Sequence, residues 1–419
     1  MRDFERPGRS AVFATNGMCA TSHPLAAKVA VQILEAGGNA VDAAIAGAVL
    51  LGFAEPQSTG IGGDMFALVK PAGEDRIVAL NGSGRAPAGI DVARLREKGE
   101  AIDLLSADAV TVPGAIDGFC RLSADWGRAG LAPSLAPAIH YAEQGIPVAP
   151  RVARDYRVSG ATLSGRGAEL FLKGGVPLKT GDIFKAPGQA EVLRRVAMDG
   201  REAFYEGEVA EDMVTSLQAL GGSHSLEDFA ATQSTYDDPI SGSYKAIELV
   251  EHPPNGQGAT AILILNILKN FDLGAMDPWG VPRTHVEAEA TKLAYDARNR
   301  ILADPDHTAR LEHMLSQDTA DRLAALIQMD RALPPTLPGA EGVHKDTVYI
   351  TVVDGEGMAV SLIYSIFHSF GSGLASDRFG ILFQNRGGGA GNAAIAIMVS
   401  WGCCRSLKLQ KHSLGIRYG

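Results

Sequence analysis

Two strand-like runs joined by a glycine-containing turn constrain this chain more than any other feature. Residues 347–353 and 358–365 are rich in β-branched and aromatic side chains, and the turn between them contains Asp-Gly-Glu-Gly. This pattern predicts a β-hairpin in which the two turn glycines supply unusual backbone dihedrals. If the turn is centred on Glu356, Thr347 and Ser365 face each other with their Cβ atoms about 5 Å apart.

The segment around this hairpin has a recognisable relative. The runs DTVYITVVD, AVSLIYS and FGSG resemble the processing site of the gamma-glutamyltranspeptidase family of N-terminal-nucleophile hydrolases. The resemblance implies that the chain cuts itself between Asp346 and Thr347, so that Thr347 becomes the nucleophile. The freed α-amino group, with a pKa of about 8, can accept the proton of the Thr347 hydroxyl. Ser365 is expected to orient that hydroxyl. An ordinary threonine–serine cross-strand pair is the alternative.

A second stretch, far from the first, carries the same resemblance. It runs from GMCATSHPLAA to GIGGDMFALV and looks like the opening of the family. Helices are predicted at 25–36 and 40–51, the second of them apolar almost all round and therefore buried. A strand is predicted at 65–70. The glycines at 60–63 match neither the dinucleotide fingerprint nor the Walker spacing, so close backbone packing is the favoured explanation.

Further elements are predicted from turn signals and apolar periodicity. Ser225 and Asp228 have the spacing of a capping box, although aspartate is short for that role. The remaining helices and one strand are expected at 112–125, 134–145, 259–271, 284–302, 317–328 and, for the strand, 247–251.

The resemblance extends from Gly17 to about Arg386 and implies a fold class. The expected architecture is α+β, the four-layer αββα sandwich of the N-terminal-nucleophile hydrolases, with two antiparallel sheets between helical layers. Residues 1–346 would form the large-subunit portion of the proenzyme and residues 347–419 the small-subunit portion. Together they would make one composite domain.

Several substrate-contacting positions of the glutathione-cleaving members carry other residues here. By the resemblance, those members have arginine at Ser83, asparagine at Phe367, glutamine at Arg386 and aspartate at Gly389. Phe367 and Arg386 instead resemble the branch that includes oxamate amidohydrolase and relatives of the cephalosporin acylases. We therefore expect an amide of a small acid, with its carboxylate held by Arg386 or Arg85. A structural or surface ion pair is the alternative role for Arg85.

Composition excludes other classes of function. The 419 residues are 46% hydrophobic and carry a formal net charge of −10, which argues against a nucleic-acid or anionic-membrane surface. The four cysteines have neither a disulfide-framework pattern nor zinc-ribbon spacing. No secretory leader and no apolar run of about 18 residues is present, so a cytoplasmic location is expected, although many members of the family are exported.

A metal-dependent hydrolase is a third, less favoured interpretation. His285 and Glu289 lie one turn apart on a predicted helix, and Asp304 follows it. There is no HExxH motif, and nothing else pairs with these residues at ligand spacing. Helix surface and a capped helix exit are favoured, and neither a metal nor an organic cofactor is expected.

The sequence changes character after Arg386. Residues 387–419 contain no acidic side chain and include Cys403 and Cys404. They carry no resemblance to the family, whose serine pair and glycine pair form the oxyanion hole. We expect a C-terminal part made incomplete by truncation or frameshift, with a natural short variant as the alternative. An exposed sheet edge beside the hairpin is expected to follow.

The expected reaction is acyl transfer. Thr347 Oγ attacks an amide carbonyl, and water or an amine then takes the acyl group. By the resemblance, the zymogen of this gamma-glutamyltransferase-like hydrolase acts on a gamma-glutamyl or similar small-acid amide, as in glutathione metabolism. Its two cleaved subunits stay associated. The alternative is a truncated, unprocessed and inactive member of the family.

Overall fold

The computed structural model describes residues 12–99, 101–334 and 347–389, together with the backbone of 415–417. The strands are β1 Gly17–Thr21, β2 Asp64–Lys70, β3 Val78–Gly82, β4 Ile146–Pro147, β5 Ile183–Phe184, β6 Thr235–Asp237, β7 Ile240–Tyr244, β8 Ile247–Glu251, β9 Val348–Asp354, β10 Ala359–Ser365 and β11 Gly415–Arg417. The helices are α1 Pro24–Glu35, α2 Ala40–Ala54, α3 Val92–Lys98, α4 Ala115–Trp126, α5 Leu131–Gln144, α6 Pro150–Ser159, α7 Gly165–Phe171, α8 Pro187–Asp199, α9 Glu202–Tyr205, α10 Gly207–Ala219, α11 Leu226–Ala230, α12 Gly258–Leu268, α13 Val281–Ile301, α14 Leu311–Leu315 and α15 Gln317–Ala324.

The predicted hairpin is confirmed and has the predicted register. Strands β9 and β10 pair antiparallel, with Val348 opposite Tyr364, so that the turn centres on Glu356. Of the two turn glycines, only Gly357 has a positive φ, at 86°. The Asp354 carboxylate also stabilises the turn, since its Oδ1 accepts the N–H groups of Glu356 and Met358 at 3.0 Å each.

The hairpin lies inside a sheet, which corrects the expectation of an exposed edge beside it. Within the described residues, six strands pair antiparallel in the order β1-β9-β10-β2-β3-β6. Strand β1 covers the outer side of β9, and β2 covers the outer side of β10. Strands from the N-terminal part of the chain therefore satisfy both edges of the hairpin.

Helix α2 is the centre of the core on one face of this sheet. All of its residues are buried, as its apolar composition predicts. Gly47 allows the helix to approach β9 closely, because a Cβ there would lie 2.4 Å from Ile350 Cδ1. Asp354 Oδ2 accepts the N–H of Ala40 at 3.0 Å, so the hairpin turn also caps the start of the helix.

A second group of elements forms its own core from helices α12, α13, α14 and α15, and α12 also packs on the hairpin of β7 and β8. Strand β8, Ile247–Glu251, has the predicted limits. This part meets the large sheet where the rings of Phe66 and His252 lie 4.7 Å apart. The backbone segment β11 pairs antiparallel with β8. The described fold thus mixes helices and antiparallel sheets, as expected for an α+β protein.

The residues considered for a metal have structural partners instead. Asp304 follows helix α13 and caps the start of the short 3-10 turn Pro305–His307, where its Oδ1 accepts the N–H of Asp306 at 3.1 Å. Glu289 is not on the surface as predicted: it is buried, and it accepts from Leu333 N–H and pairs with Lys292. Among the described residues, no three His, Cys, Asp or Glu side chains are grouped to hold a metal ion.

The predicted capping box is present at the start of α11, where Ser225 Oγ and the Asp228 carboxylate bind each other's backbone N–H groups.

None of the helices in the described ranges is long and apolar enough to span a lipid bilayer.

Candidate active site

Four polar side chains lie in one row across neighbouring strands of the large sheet. Ser365 pairs with Asp64 of β2, and continuation of the β9–β10 and β2–β3 registers brings Thr347 and Ser83 into the same row. Adjacent strands lie about 4.8 Å apart, so Thr347 and Asp64 are roughly 10 Å apart between Cα atoms. The row thus gathers groups from distant parts of the sequence at one end of the sheet.

The two hydroxyls predicted to face each other are in contact. Thr347 Oγ1 lies 3.1 Å from Ser365 Oγ. Ser365 is buried, whereas Thr347 is half-buried. The structure therefore brings the predicted pair together, while their catalytic roles stay a prediction.

A backbone bend after β10 fixes the direction of the Ser365 hydroxyl. Phe367 has a φ of +80°, which is uncommon for a residue with a side chain. Its N–H donates to Ser365 Oγ at 2.9 Å. Because Ser365 Oγ accepts this bond, its own proton can be donated to Thr347 Oγ1.

The glycines before β2 allow the chain to pass close to this bend. A Cβ at Gly62 would lie 2.2 Å from the carbonyl oxygen of Leu382, and one at Gly63 would lie 2.3 Å from that of Ser365. The prediction of close backbone packing is therefore confirmed at Gly62 and Gly63, whereas a Cβ at Gly60 would meet nothing within 4 Å. The same contact carries residues 382–386 alongside the hairpin.

Arg386 reaches the site from this neighbouring segment. Its side chain is fully buried, and Nε donates to Asp64 Oδ2 at 2.6 Å. The guanidinium carbon lies 5.3 Å from the centre of the Phe367 ring. Neither Nη1 nor Nη2 has a hydrogen-bond partner among the described residues. Arg386 thus has donors available for a ligand inside the protein.

Asp64 holds this arrangement together, and the sequence reasoning missed it. Oδ1 accepts from Gly84 N–H, Gly114 N–H and Gln384 Nε2 at 2.9, 3.2 and 2.9 Å. Burial raises the pKa of the Asp64 carboxyl, whereas the Arg386 charge and the hydrogen bonds lower it. The pKa of the Asp64 carboxyl therefore lies above its ordinary value, because the Arg386 charge and the hydrogen bonds offset only part of the effect of burial. A charge directly before the buried run MFALV was the available signal.

Ser83 belongs to a ring of three hydrogen bonds beside Asp64. Ser83 Oγ donates to Asn81 Oδ1 at 2.7 Å, Asn81 Nδ2 donates to Asn255 Oδ1 at 2.9 Å, and Asn255 Nδ2 donates back to Ser83 Oγ at 3.0 Å. The Arg85 side chain is exposed, and within the described part of the chain it forms no ion pair.

Asp346, on the far side of the predicted cut, lies outside the described residues, as do Cys403 and Cys404.

Comparisons with known proteins agree on one family. The sequence model of the gamma-glutamyltranspeptidase family matches residues 26–398, which is 12 residues beyond Arg386, where the resemblance was expected to end. The Bacillus subtilis glutathione hydrolase-like YwrD proenzyme is 36% identical over 381 residues, covering 90% of this chain and 71% of that protein. The Klebsiella pneumoniae oxamate amidohydrolase proenzyme is 34% identical over 382 residues, covering 89% and 71%.

A solved structure supports the same relationship. The cephalosporin acylase from Bacillus halodurans superposes with a TM-score of 0.84 at 36% identity, covering 99% of this chain and 76% of that one. The overlap includes the sheet that carries the row of polar side chains.

Proposed function

The chain belongs to the gamma-glutamyltranspeptidase family, and from that premise we propose that it is a self-cleaving amidohydrolase and acyltransferase whose nucleophile is Thr347. The observation that carries the proposal is the 3.1 Å contact between Thr347 Oγ1 and Ser365 Oγ. Relatives described as proenzymes support the self-processing step over the unprocessed, inactive alternative.

Processing and turnover use the same hydroxyl. In processing, Thr347 Oγ1 attacks the carbonyl carbon of Asp346 and the peptide bond becomes an ester, which frees the Thr347 amine. Water then hydrolyses that ester and releases the Thr347 hydroxyl and the Asp346 carboxylate. In turnover, the freed amine takes the hydroxyl proton as Oγ1 attacks the substrate amide. The proton then passes to the departing amine, and water or an acceptor amine releases the acyl group. Ser365 orients Oγ1 in both steps.

The acyl group is proposed to be that of a small acid. Arg386 is the better of the two expected carboxylate ligands, because it is buried beside the hairpin with both Nη groups lacking partners among the described residues. Phe367 would line the pocket beside the guanidinium. Arg85 is exposed and remains the second choice. The similarity to an oxamate amidohydrolase supports this substrate class.

The two cleaved portions, 1–346 and 347–419, are proposed to stay together as one composite domain. Each strand of the hairpin pairs with a strand of the larger portion, β1 or β2, so cleavage leaves both ladders intact. The finer architecture proposed is the four-layer αββα sandwich, for which the large sheet with α2 on one face provides support. A cytoplasmic location is likewise a proposal.

A denaturing gel tests the proposal directly. Self-cleavage before Thr347 should divide the 43.9 kDa chain into pieces of about 36 and 8 kDa. Thr347→Ala should remain one intact band and should hydrolyse no amide. If the wild-type protein instead runs as one intact band, like Thr347→Ala, the result would support the alternative of an unprocessed, inactive member of the family.

A further inference from the structure

The two oxygens of the Asp64 carboxylate have separate tasks. Oδ1 accepts two backbone N–H groups and the amide of Gln384. Oδ2 accepts Arg386 Nε at 2.6 Å. One oxygen thus fixes Asp64 to the backbone, and the other fixes Arg386 to Asp64.

This attachment determines which donors of Arg386 face a ligand. Nε is occupied by Asp64 and lies 3.3 Å from Gln384 Oε1. The Phe367 ring approaches the guanidinium, with its centre 5.3 Å from the Arg386 carbon Cζ. Nη1 and Nη2 remain, both buried and without a partner in the described ranges. Buried donors in this state are rare in folded proteins.

A carboxylate is the ligand that suits such a pair of donors. Two parallel N–H···O bonds from the Nη groups match the two oxygens of a carboxylate. A connected path of contacts leads from the guanidinium through Phe367 and Ser365 to Thr347 Oγ1. The carboxylate and the reacting carbonyl must therefore belong to one short acyl chain, since the Cα atoms of Thr347 and Asp64 are roughly 10 Å apart.

We propose that Asp64 is the positioning residue that holds Arg386 so that its two Nη groups bind the distal carboxylate of the acyl group. The substrate class is then a monoamide of a short dicarboxylic acid. This inference rests on the proposed function, since it assumes that Thr347 receives the acyl group. Asp64 itself touches neither the substrate nor the reacting atoms.

Asp64→Asn separates the two tasks. In the variant, the three donors that now bind Oδ1 still require an acceptor, so they hold the amide oxygen of asparagine in that position. The amide nitrogen Nδ2 then takes the place of Oδ2 and faces Arg386 Nε, so that two donors oppose each other. Arg386 then loses its orientation while the backbone contacts remain. The matched control is Asp318→Asn, which breaks an exposed aspartate–arginine pair on α15.

The assay compares glutaryl-p-nitroanilide with its uncharged analogue pentanoyl-p-nitroanilide. The wild-type protein should prefer the glutaryl substrate. In Asp64→Asn the KM for the glutaryl substrate should rise about 10-fold to 100-fold, as expected for loss of a charge-assisted contact. The KM for the pentanoyl substrate should change far less, and Asp318→Asn should behave as wild type. Equal losses on both substrates would mean a merely structural role and would overturn the inference.

Two further measurements separate this inference from the proposed function. Self-cleavage is scored on the same preparations: a wild-type chain that never cleaves refutes the proposed function. One that cleaves but does not prefer the glutaryl substrate refutes only the role of Asp64 and Arg386. Should Asp64→Asn fail to fold, Arg386→Lys keeps the charge without the fork, and it must also lose the glutaryl preference. Retention of that preference would contradict the inference.

Discussion

Removal of one hydroxyl, in Ser365→Ala, probes the site most selectively. The change deletes the 3.1 Å contact to Thr347 Oγ1 and the acceptor for the Phe367 N–H. Loss of an orienting hydrogen bond of about 1.4–2.8 kcal/mol in the transition state would lower kcat about 10-fold to 100-fold. The Phe367 N–H, left buried without its acceptor, should lower the free energy of unfolding by about 1–3 kcal/mol.

Ser361→Ala is the matched control for this experiment. Ser361 lies on the same face of β10, and its hydroxyl pairs with Tyr349 at 3.0 Å, away from Thr347. It should cost at most about 1.5 kcal/mol in unfolding free energy and leave self-cleavage and turnover as in wild type. The assay is the time course of self-cleavage on gels, amide hydrolysis of the cleaved protein, and urea unfolding. If Ser365→Ala keeps the kcat and the self-cleavage rate of the wild-type protein, the orienting role of Ser365 is refuted.

Three further predictions follow from the packing and the titration of buried groups. Gly63→Ala puts a Cβ 2.3 Å from the Ser365 carbonyl oxygen, so it should destabilise the fold by about 1–3 kcal/mol in urea unfolding and slow self-cleavage. Asp354→Ala removes the acceptor that joins the hairpin turn to Ala40 at the start of α2. It should lower the midpoint of thermal unfolding, and an unchanged midpoint would contradict a stabilising role for these hydrogen bonds. Burial raises the pKa of Glu251 to about 8, so the folded state binds more protons than the unfolded one between pH 4.5 and 8 and loses stability as pH rises across that window. Glu251→Gln should remove this loss, measured as unfolding free energy against pH.

The sequence predicted the parts of the fold that depend on local pattern. The hairpin register followed from a turn centred on Glu356, and burial of α2 followed from its apolar composition. The close packing of Gly62 and Gly63 was favoured because their spacing matches neither the dinucleotide fingerprint nor the Walker spacing. The first two are decided by residues close together in the chain, whereas Gly62 and Gly63 pack against Leu382 and Ser365, more than 300 residues away, and the sequence did not indicate those partners.

What the sequence could not provide were contacts between distant segments. Strand β1 covers an edge of β9 more than 300 residues away, as the pairing of Thr21 with Ile350 shows, and no local pattern indicates that pairing. The contact of Asp64 with Arg386 likewise joins segments 322 residues apart. The resemblance drew attention to Arg386 but not to the carboxylate that orients it. Glu289 was wrongly predicted to lie on the surface, since the partner that satisfies it in the interior, the N–H of Leu333, lies 44 residues downstream and is not indicated by the local pattern.

The most direct test of the account is the mass of the smaller polypeptide during turnover of a slowly hydrolysed acidic amide. We predict that this piece begins with a free amine on Thr347 and gains the mass of one acyl group on that residue. A protein that hydrolyses amides with the bond before Thr347 unbroken, or with alanine at that position, would contradict the account.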